Sequence, residues 1–252
     1  MKTETRKRRG NSRYYLFFVL SLVIVTSVGA AAYLVGVNLP WIDLQEIKIS
    51  GNSSISDSTI IAIINPYMDT NLLSIPSSEI EKKILRFARV KDVKIKKSLL
   101  HTLVCEIEER SGLLYLRSVE GDLFPIDKDA VVLEKPDNIY REDLPIVATY
   151  LSNKQLTSGT KLQKPYLKRI IKIHQDICAQ SPDFSPLISE YYFIDDTIYL
   201  VDAKYGTRII PCENNIAKQL QRYLFVQDNG NIDRNSLVDL RFDNQVVVKE
   251  GK

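Results

Sequence analysis

Residues 98–116 read SLLHTLVCEIEERSGLLYL, and this stretch alternates apolar and polar side chains before it reaches an acidic pair and an arginine. Leu103, Cys105 and Ile107 fall at every second position, so in a strand they share one face. The alternation predicts a strand over 103–108 with one covered face. Cys105 is therefore predicted to pack in a core.

The sequence before this strand predicts four more elements. An apolar run that contains four isoleucines begins at a helix-capping Ser56 or Asp57 and is stopped by a proline. A second apolar stripe recurs at the helical spacing i, i+4, i+7. The four elements are a strand that ends at Gly51-Asn52, a helix ended by Pro66, a helix over 77–90 with Ile80, Ile84 and Phe87 on one face, and a strand over 93–97.

The N-terminus predicts a membrane anchor. No charged side chain occurs between Tyr14 and Asn38, and a helix over 14–37 would be roughly 36 Å long, enough for a hydrocarbon core of about 30 Å. Trp41 suits the far interface, and a basic N-terminus favours the cytoplasm. The basic residues that predict this orientation are Arg6, Lys7, Arg8, Arg9 and Arg13.

A cleaved signal peptide is the alternative. Ala30-Ala31-Ala32 satisfies the small-residue cleavage pattern after a charged segment and an apolar one. The apolar run continues over 33–37, beyond that cut. We therefore expect a retained anchor, with residues 40–252 on the far side of the membrane.

Charge and composition argue against a nucleic-acid partner. The chain has 252 residues and a net charge of +3, with 44% apolar and 26% charged residues, a balance typical of globular proteins. Residues 1–13 hold six Lys or Arg and one Glu, which leaves 28 basic and 30 acidic residues in the remainder. Beyond the tail there is no polycation for a phosphate backbone.

From residue 111 the pattern changes to short strands, turns and two amphipathic helices. A hairpin is predicted around Glu120-Gly121-Asp122. The chain is therefore predicted to be an α+β protein, with a mixed β-sheet domain over 111–252. Its further elements are strands over 130–133, 189–195, 197–203 and 207–211, helices over 164–180 and 214–227, a connector over 141–151, and two closing strands over 236–252 that meet at Asp243-Asn244.

Motifs for catalysis are weak. The one candidate pair of a catalytic thiol and an imidazole base is Cys212 with His174. His174, however, lies on the apolar stripe of its helix. Two histidines without HxH or HExxH spacing predict no metal site, and no glycine-rich phosphate loop occurs. We expect no enzyme, no cofactor and no small-molecule substrate. Three cysteines (Cys105, Cys178 and Cys212) permit one disulfide, but their spacing identifies no pair.

The order of these elements resembles the bacterial division proteins of the FtsQ family, called DivIB in Gram-positive bacteria. Residues 44–110 resemble a POTRA domain, residues 1–13 a cytoplasmic tail and residues 144–149, LPIVAT, the connector into the second domain. Two family positions, often Pro-Trp, hold Ala88-Arg89. The residues that match the family pattern around the last two POTRA strands are Val90, Thr102, Leu103, Glu109 and Arg110.

The resemblance implies a non-enzymatic role in the divisome at the septum. Its members bind small bitopic partners, FtsB and FtsL or DivIC and FtsL, which regulate septal peptidoglycan synthesis. Carried over to this chain, the partner contact falls on the closing strands, at Phe242, Asn244, Val246, Val247 and Val248.

The physics of a terminal strand supports such a contact, because its unpaired N–H and C=O groups can accept a peptide strand. The valines at 246–248 lack the charges that normally protect an exposed edge. A core strand covered on both sides is the structural alternative. Two other functions stay open here: a POTRA-containing envelope assembly or secretion factor, and an anchored thiol enzyme that uses Cys212.

Overall fold

A computed structural model describes residues 12–37, 42–98, 101–135, 143–230, 232, 235–243 and 245–249. The predicted α+β class is confirmed. The chain forms two compact units. One contains the chain up to Ser50 with Asp57–Lys83 and Lys94–Glu106, and the other contains Gly51–Ser56, Ile84–Val93 and the chain from Ile107 onward.

Helix α1, Ser12–Val37, confirms the predicted N-terminal apolar helix. Its segment Tyr14–Val35 has a mean hydropathy of 2.3 and is long and apolar enough to cross a membrane. The Thr26 hydroxyl donates to the Leu22 carbonyl one turn earlier at 2.9 Å, so this polar group is paired within the helix. Such pairing matches what a hydrocarbon environment requires.

The predicted order strand, helix, helix, strand, strand is confirmed between residues 46 and 109. The three strands form a sheet of order β1-β3-β2, with β1 parallel to β3. The elements are β1 Glu46–Ser50, α2 Asp57–Ile64, α3 Ser77–Ile84, β2 Val90–Ser98 and β3 Thr102–Glu109.

Burial in β3 follows the predicted alternation. Leu103, Cys105 and Ile107 are all buried, and burial raises the pKa of the Cys105 thiol to about 11. Helix α3 ends at Ile84, earlier than predicted. Phe87 lies in a turn in which its N–H donates to the Ile84 carbonyl, so the third residue of the predicted stripe is outside the helix.

The second sheet has eight strands in the order β11-β10-β9-β8-β7-β6-β4-β5. Strand β6 runs parallel to both β4 and β7, and β9 runs parallel to β10, whereas the other neighbouring pairs in this sheet are antiparallel. The elements are β4 Leu114–Arg117, β5 Leu123–Ile126, β6 Ile146–Ala148, α4 Pro165–Gln180, β7 Ile188–Ile194, β8 Thr197–Asp202, β9 Arg208–Ile210, α5 Ile216–Asn229, β10 Leu237–Asp239 and β11 Val247–Lys249, with short 3-10 turns at Asn65–Tyr67, Leu72–Ser74, Asn153–Gln155 and Ser185–Leu187.

Helices α4 and α5 pack on one face of this sheet. One buried apolar cluster joins the helices to the strands. It contains Leu167 and Ile170 of α4, Tyr223 of α5, and Tyr191 and Val238 of the strands. The burial of such side chains is the main source of stability of the sheet, at about 25 cal/mol per Å² of apolar surface.

Two predictions for this sheet are wrong. The segment predicted as a connector contains β6, which pairs parallel with both β4 and β7 and is therefore an inner strand. Residues 130–133 form isolated bridges through Val131 and Val132 and not a strand. Helix α5 begins after Asn215, which has a φ of 57° and whose side chain makes no capping hydrogen bond. The domain boundaries at 44–110 and 111–252 stay predictions.

Candidate partner-binding edge

Strand β11 lies at one end of the eight-stranded sheet. It pairs antiparallel with β10, and no other described strand pairs with it. A strand at the end of a sheet has one row of backbone N–H and C=O groups without strand partners. Within the described part of the chain, the predicted edge therefore exists.

Two hydrogen bonds show which residues of β10 face β9. The Arg208 N–H donates to the Ser236 carbonyl over 2.9 Å, and the Leu240 N–H donates to the Ile210 carbonyl over 3.0 Å. Backbone groups of successive strand residues point to alternate sides. The even-numbered residues of β10 therefore face β9, and the odd-numbered ones face β11.

This alternation identifies the backbone groups on the open side of β11. Asp239 is paired with Val247, and Val238 is paired with Val248. Because Asp239 faces β11, Val247 directs its N–H and C=O back to β10. Val248 directs its N–H and C=O to the open side, and so does Val246 two residues earlier. Val248 is therefore the residue of β11 best placed to bond an added strand.

The opposite end of the sheet is covered by the chain itself. Ile126 of β5 forms an antiparallel bridge with Val132, and the Leu133 N–H donates to the Pro125 carbonyl over 2.8 Å. Residues 131–133 thus occupy the bonding positions beside β5. Of the two ends of this sheet, β11 is the one that has no described segment paired on its outer side.

The turn before β11 is held by an ion pair. Arg241 donates from its Nε to Asp239 Oδ1 over 2.9 Å and from Nη2 to Oδ2 over 2.6 Å. The guanidinium of Arg241 lowers the pKa of the Asp239 carboxyl below its usual range, although burial opposes this shift. The next residue, Phe242, is half exposed, with 50% of its surface accessible. The turn presents this ring to solvent.

The predicted contact residues lie in different environments. Val248 is 39% exposed, Val247 is half-buried, and Val246 packs partly against the core. Asn244 lies outside the described residues. The alternative of a strand covered on both sides does not hold for the described residues, but a binding role for these positions stays a prediction.

Sequence reasoning missed an apolar groove beside this edge. Val246 lines a cavity of 570 Å³ together with residues of α5. The most prominent is Phe225, whose side chain is 68% exposed. The sequence does contain a signal for this groove, since Phe225 is an aromatic residue on the polar side of an amphipathic helix. Only the core face of that helix was used for the sequence-based prediction.

The thiols and histidines do not form the predicted pair. The ring nitrogens of His174 approach Tyr191 Oη at 3.0 Å and Cys178 Sγ at 3.5 Å. Cys212 instead lines a separate cavity with Arg169. His174 therefore does not lie beside Cys212, and in the described part of the chain the thiol-enzyme alternative has no general base at the position it requires. No group of three or more metal-ligating side chains occurs among the residues described.

His174 is a buried, packed histidine, as its position on the apolar stripe of α4 predicted. Only 3% of its surface is exposed, and its ring meets Tyr191 edge to face at 5.7 Å. Burial lowers the pKa of His174 to about 4, because the charged imidazolium would lose its hydration.

We expect this histidine to make the protein less stable in acid. The unfolded chain takes up the proton near pH 6.5, whereas the folded chain takes it up only near pH 4. Stability therefore falls as the pH falls between these values, by about 3 kcal/mol in all. Urea unfolding at several pH values should show a flatter profile over this range for His174→Gln.

His101→Gln is the matched control, since His101 is exposed and is the other histidine of the chain. This variant should keep the pH dependence of the unmodified protein. An equally steep profile for His174→Gln would contradict the assignment of the acid sensitivity to His174.

The features described so far define a class of protein: an apolar N-terminal helix followed by an α+β body whose first sheet is built from a β-α-α-β-β unit. Residues 42–110 match the POTRA domain family of FtsQ type. The β-α-α-β-β unit within these residues is therefore similar to a POTRA domain of FtsQ type.

Three relatives, each named Cell division protein DivIB, extend the similarity. The protein of Brevibacillus brevis is 22% identical over 80% of this chain and 72% of its own length. That of Clostridium acetobutylicum is 29% identical over 40% of each chain, and that of Clostridium botulinum is 26% identical over 55% of this chain and 51% of its own. The resemblance to the FtsQ/DivIB proteins of bacterial cell division is confirmed.

Helix α1 is long and apolar enough to cross a membrane, as predicted, and the relatives that the chain resembles are named as cell division proteins. Retention in the membrane and a role in cell division stay predictions for this chain. Arg6, Lys7, Arg8, Arg9 and Trp41 lie outside the described residues, as does the side chain of Arg13. The orientation across the membrane stays a prediction.

Proposed function

We propose that this protein is a non-enzymatic, membrane-anchored scaffold of the bacterial divisome. Its partner is a small bitopic protein of the FtsB/DivIC or FtsL kind, which adds a strand to the open side of β11. The N-terminus lies in the cytoplasm, and the two folded domains lie outside the membrane at the septum. The scaffold thereby helps to regulate septal peptidoglycan synthesis.

The observation that supports this function best is the outer side of β11, where no strand among the described residues pairs with it. Its neighbour β10 occupies one side, and Val248 directs its N–H and C=O to the other. Strand addition takes affinity from such main-chain groups and specificity from alternate side chains. The relatives are named as cell division proteins, and this supports a role in cell division over a general role in envelope assembly.

Proline scanning of β11 tests the proposal. Val248→Pro removes an N–H on the open side, where proline is tolerated in edge strands. We expect this variant to keep its fold and to lose at least about tenfold in affinity for the partner, since one main-chain hydrogen bond is lost and the ring blocks close approach. Affinity is measured with the full chain in detergent micelles and the host's DivIC-like protein.

Two neighbouring variants make the result specific. Val247→Pro removes the N–H that faces β10, so it should detach β11 and lower stability as well as affinity. Val248→Thr keeps the N–H and the branched side chain, and should bind almost as the unmodified protein does. Unchanged binding by folded Val248→Pro would exclude strand addition at this edge.

Orientation has a separate test. A reporter that is active only outside the cytoplasm, fused after Lys252, should be active in the host. An inactive fusion, with a second fusion before Met1 active instead, would reverse the proposed topology.

A further inference from the structure

Helix α5 carries two distinct stripes of side chains. One stripe faces the core and contains the buried residues Ile216, Gln219, Leu220 and Tyr223. The other follows the spacing i, i+3, i+4, i+7, i+8, which is the pattern of a second continuous helix face. Its members line the 570 Å³ groove with Val246 and are Lys218, Gln221, Arg222, Phe225 and Val226.

The groove lies on the same side of the sheet as two side chains of the edge. Val248 is paired with Val238, and Val238 is buried in the cluster that contains Tyr223 of α5. Directly opposed residues of an antiparallel pair point to the same face. Val248 and Val246 therefore point to the side of the sheet on which α5 lies.

An added strand would place its own alternate side chains over this groove. Neighbouring strands lie about 4.8 Å apart, so the next strand beyond β11 continues the helix-covered face by one row. The side chains of that strand that point to this face meet Phe225 and Val226. The groove is thus continuous with the proposed binding edge.

The charge of the groove indicates what else it accepts. Lys218 is exposed at its rim, and the six described residues that line the groove include two cations and no carboxylate. A cationic rim around an apolar floor is complementary to an apolar residue flanked by an acidic one.

We propose that this groove selects the partner strand by its side chains: an apolar residue packs on Phe225, and an Asp or Glu two positions away, on the same face of the added strand, pairs with Lys218. This inference rests on the proposed strand addition and names the chemistry that the partner needs. It makes Phe225 and Lys218 specificity-determining residues on a helix, outside the strand that supplies the main-chain bonds.

Two substitutions in the groove test the inference. Phe225→Ser should weaken binding of the host's DivIC-like protein by about tenfold or more, because an exposed aromatic anchor is lost without change to the core. Lys218→Glu should weaken it by a similar factor at low salt and by less at high salt, because salt screens exposed charges. Binding is measured with the full chain in detergent micelles.

Matched controls are available on other surfaces of the same domain. Tyr150 is an aromatic residue that is 80% exposed, and Lys172 is an exposed cation of α4. Tyr150→Ser and Lys172→Glu should both bind as the unmodified chain does. A scan of the partner, with each Asp and Glu changed to Lys, should also contain one change whose loss of binding is reversed by Lys218→Glu.

The results separate this inference from the proposed function. If Val248→Pro abolishes binding while Phe225→Ser and Lys218→Glu have no effect, strand addition stands and groove selection is wrong. If Val248→Pro binds normally, strand addition fails, and selection of an added strand fails with it. If Phe225→Ser changes only self-association, measured by analytical ultracentrifugation, the groove contacts a second copy and the inference is wrong.

Discussion

Replacement of Gly51 by alanine is expected to lower the free energy of unfolding by about 3 kcal/mol or more. Gly51 has a φ of 84°, and a Cβ atom there would lie 2.0 Å from the carbonyl oxygen of Ile107. Ile107 belongs to β3, so the clash is with strand backbone and not with a flexible side chain. Relief requires the chain at Gly51 to move away from β3.

Gly121→Ala separates the clash from the backbone strain. Gly121 has a φ of 92°, and its Cβ would meet no atom within 4 Å. This substitution costs only the strain of a positive φ, about 1–2 kcal/mol. Urea unfolding of the full chain in detergent, followed by circular dichroism, should therefore show a much larger loss of stability for Gly51→Ala. Equal losses would mean that the close approach to Ile107 does not determine the residue type at position 51.

The clash at position 51 also explains why a glycine occurs in the Gly51-Asn52 motif after β1. The sequence predicts that the first strand ends at Gly51-Asn52, which agrees with the end of β1 at Ser50 but gives no reason for the glycine. The structure adds the close approach of Ile107 and a hydrogen bond from the Asn52 side chain to the Ile55 carbonyl at 2.8 Å. The hydrogen bond of Asn52 is local, but the approach of Ile107 joins segments that are distant in sequence, so local pattern could not predict why position 51 requires a glycine.

Periodicity predicted the elements that have enough residues to show it. The alternation in β3 and the stripes of α2 and α4 each extend over two or more turns or pleats. β6 has only three residues, Ile146–Ala148, and follows Pro145. Burial alternates over these three residues, with Val147 alone buried, but three apolar residues are too few for an alternation to be recognised in the sequence, which is typical of a connector. Its place is determined by its two neighbours.

The candidate site was predicted in part for a similar reason. The resemblance to the FtsQ family placed the partner contact on the closing strands, and the unpaired backbone groups of a terminal strand supported an edge there. The direction of the Val248 backbone required the hydrogen bonds of β10, and the groove required α5 to be seen beside Val246. Those relations join segments about 20 to 30 residues apart. The sequence therefore predicted the strand, but not the face of the helix beside it.

The Glu109-Arg110 pair at the end of β3 has two structural roles. The Glu109 carboxylate accepts hydrogen bonds from the backbone N–H groups of Ser54 at 2.8 Å and Ile55 at 3.0 Å. Burial alone would raise the pKa of Glu109, but these donors outweigh it and lower the pKa below its usual range. Arg110 points to a different partner, the carboxylate of Asp127, at 2.6 Å.

Removal of the Arg110 charge should be nearly as damaging as the clash at Gly51. The Asp127 side chain is 4% exposed, and its Oδ1 accepts the N–H groups of Asp129 at 2.9 Å and Val131 at 2.8 Å. Arg110→Met keeps the length of the side chain but leaves this buried carboxylate without its cation. Loss of one partner from a buried ion pair typically costs about 3–5 kcal/mol. We expect a loss near the lower value, because the two N–H donors remain.

The pair formed by Lys135 and Asp122 is the matched control, since it joins the same charge types at the surface. Its atoms are 3.5 Å apart, and both side chains are more than 40% exposed. Lys135→Met should cost less than about 1 kcal/mol, because water already screens this pair. If Arg110→Met and Lys135→Met shift the urea midpoint equally, burial does not strengthen the Arg110 pair. If Arg110→Met alone is unstable and the double variant Arg110→Met with Asp127→Asn regains stability, the unpaired carboxylate is the cause.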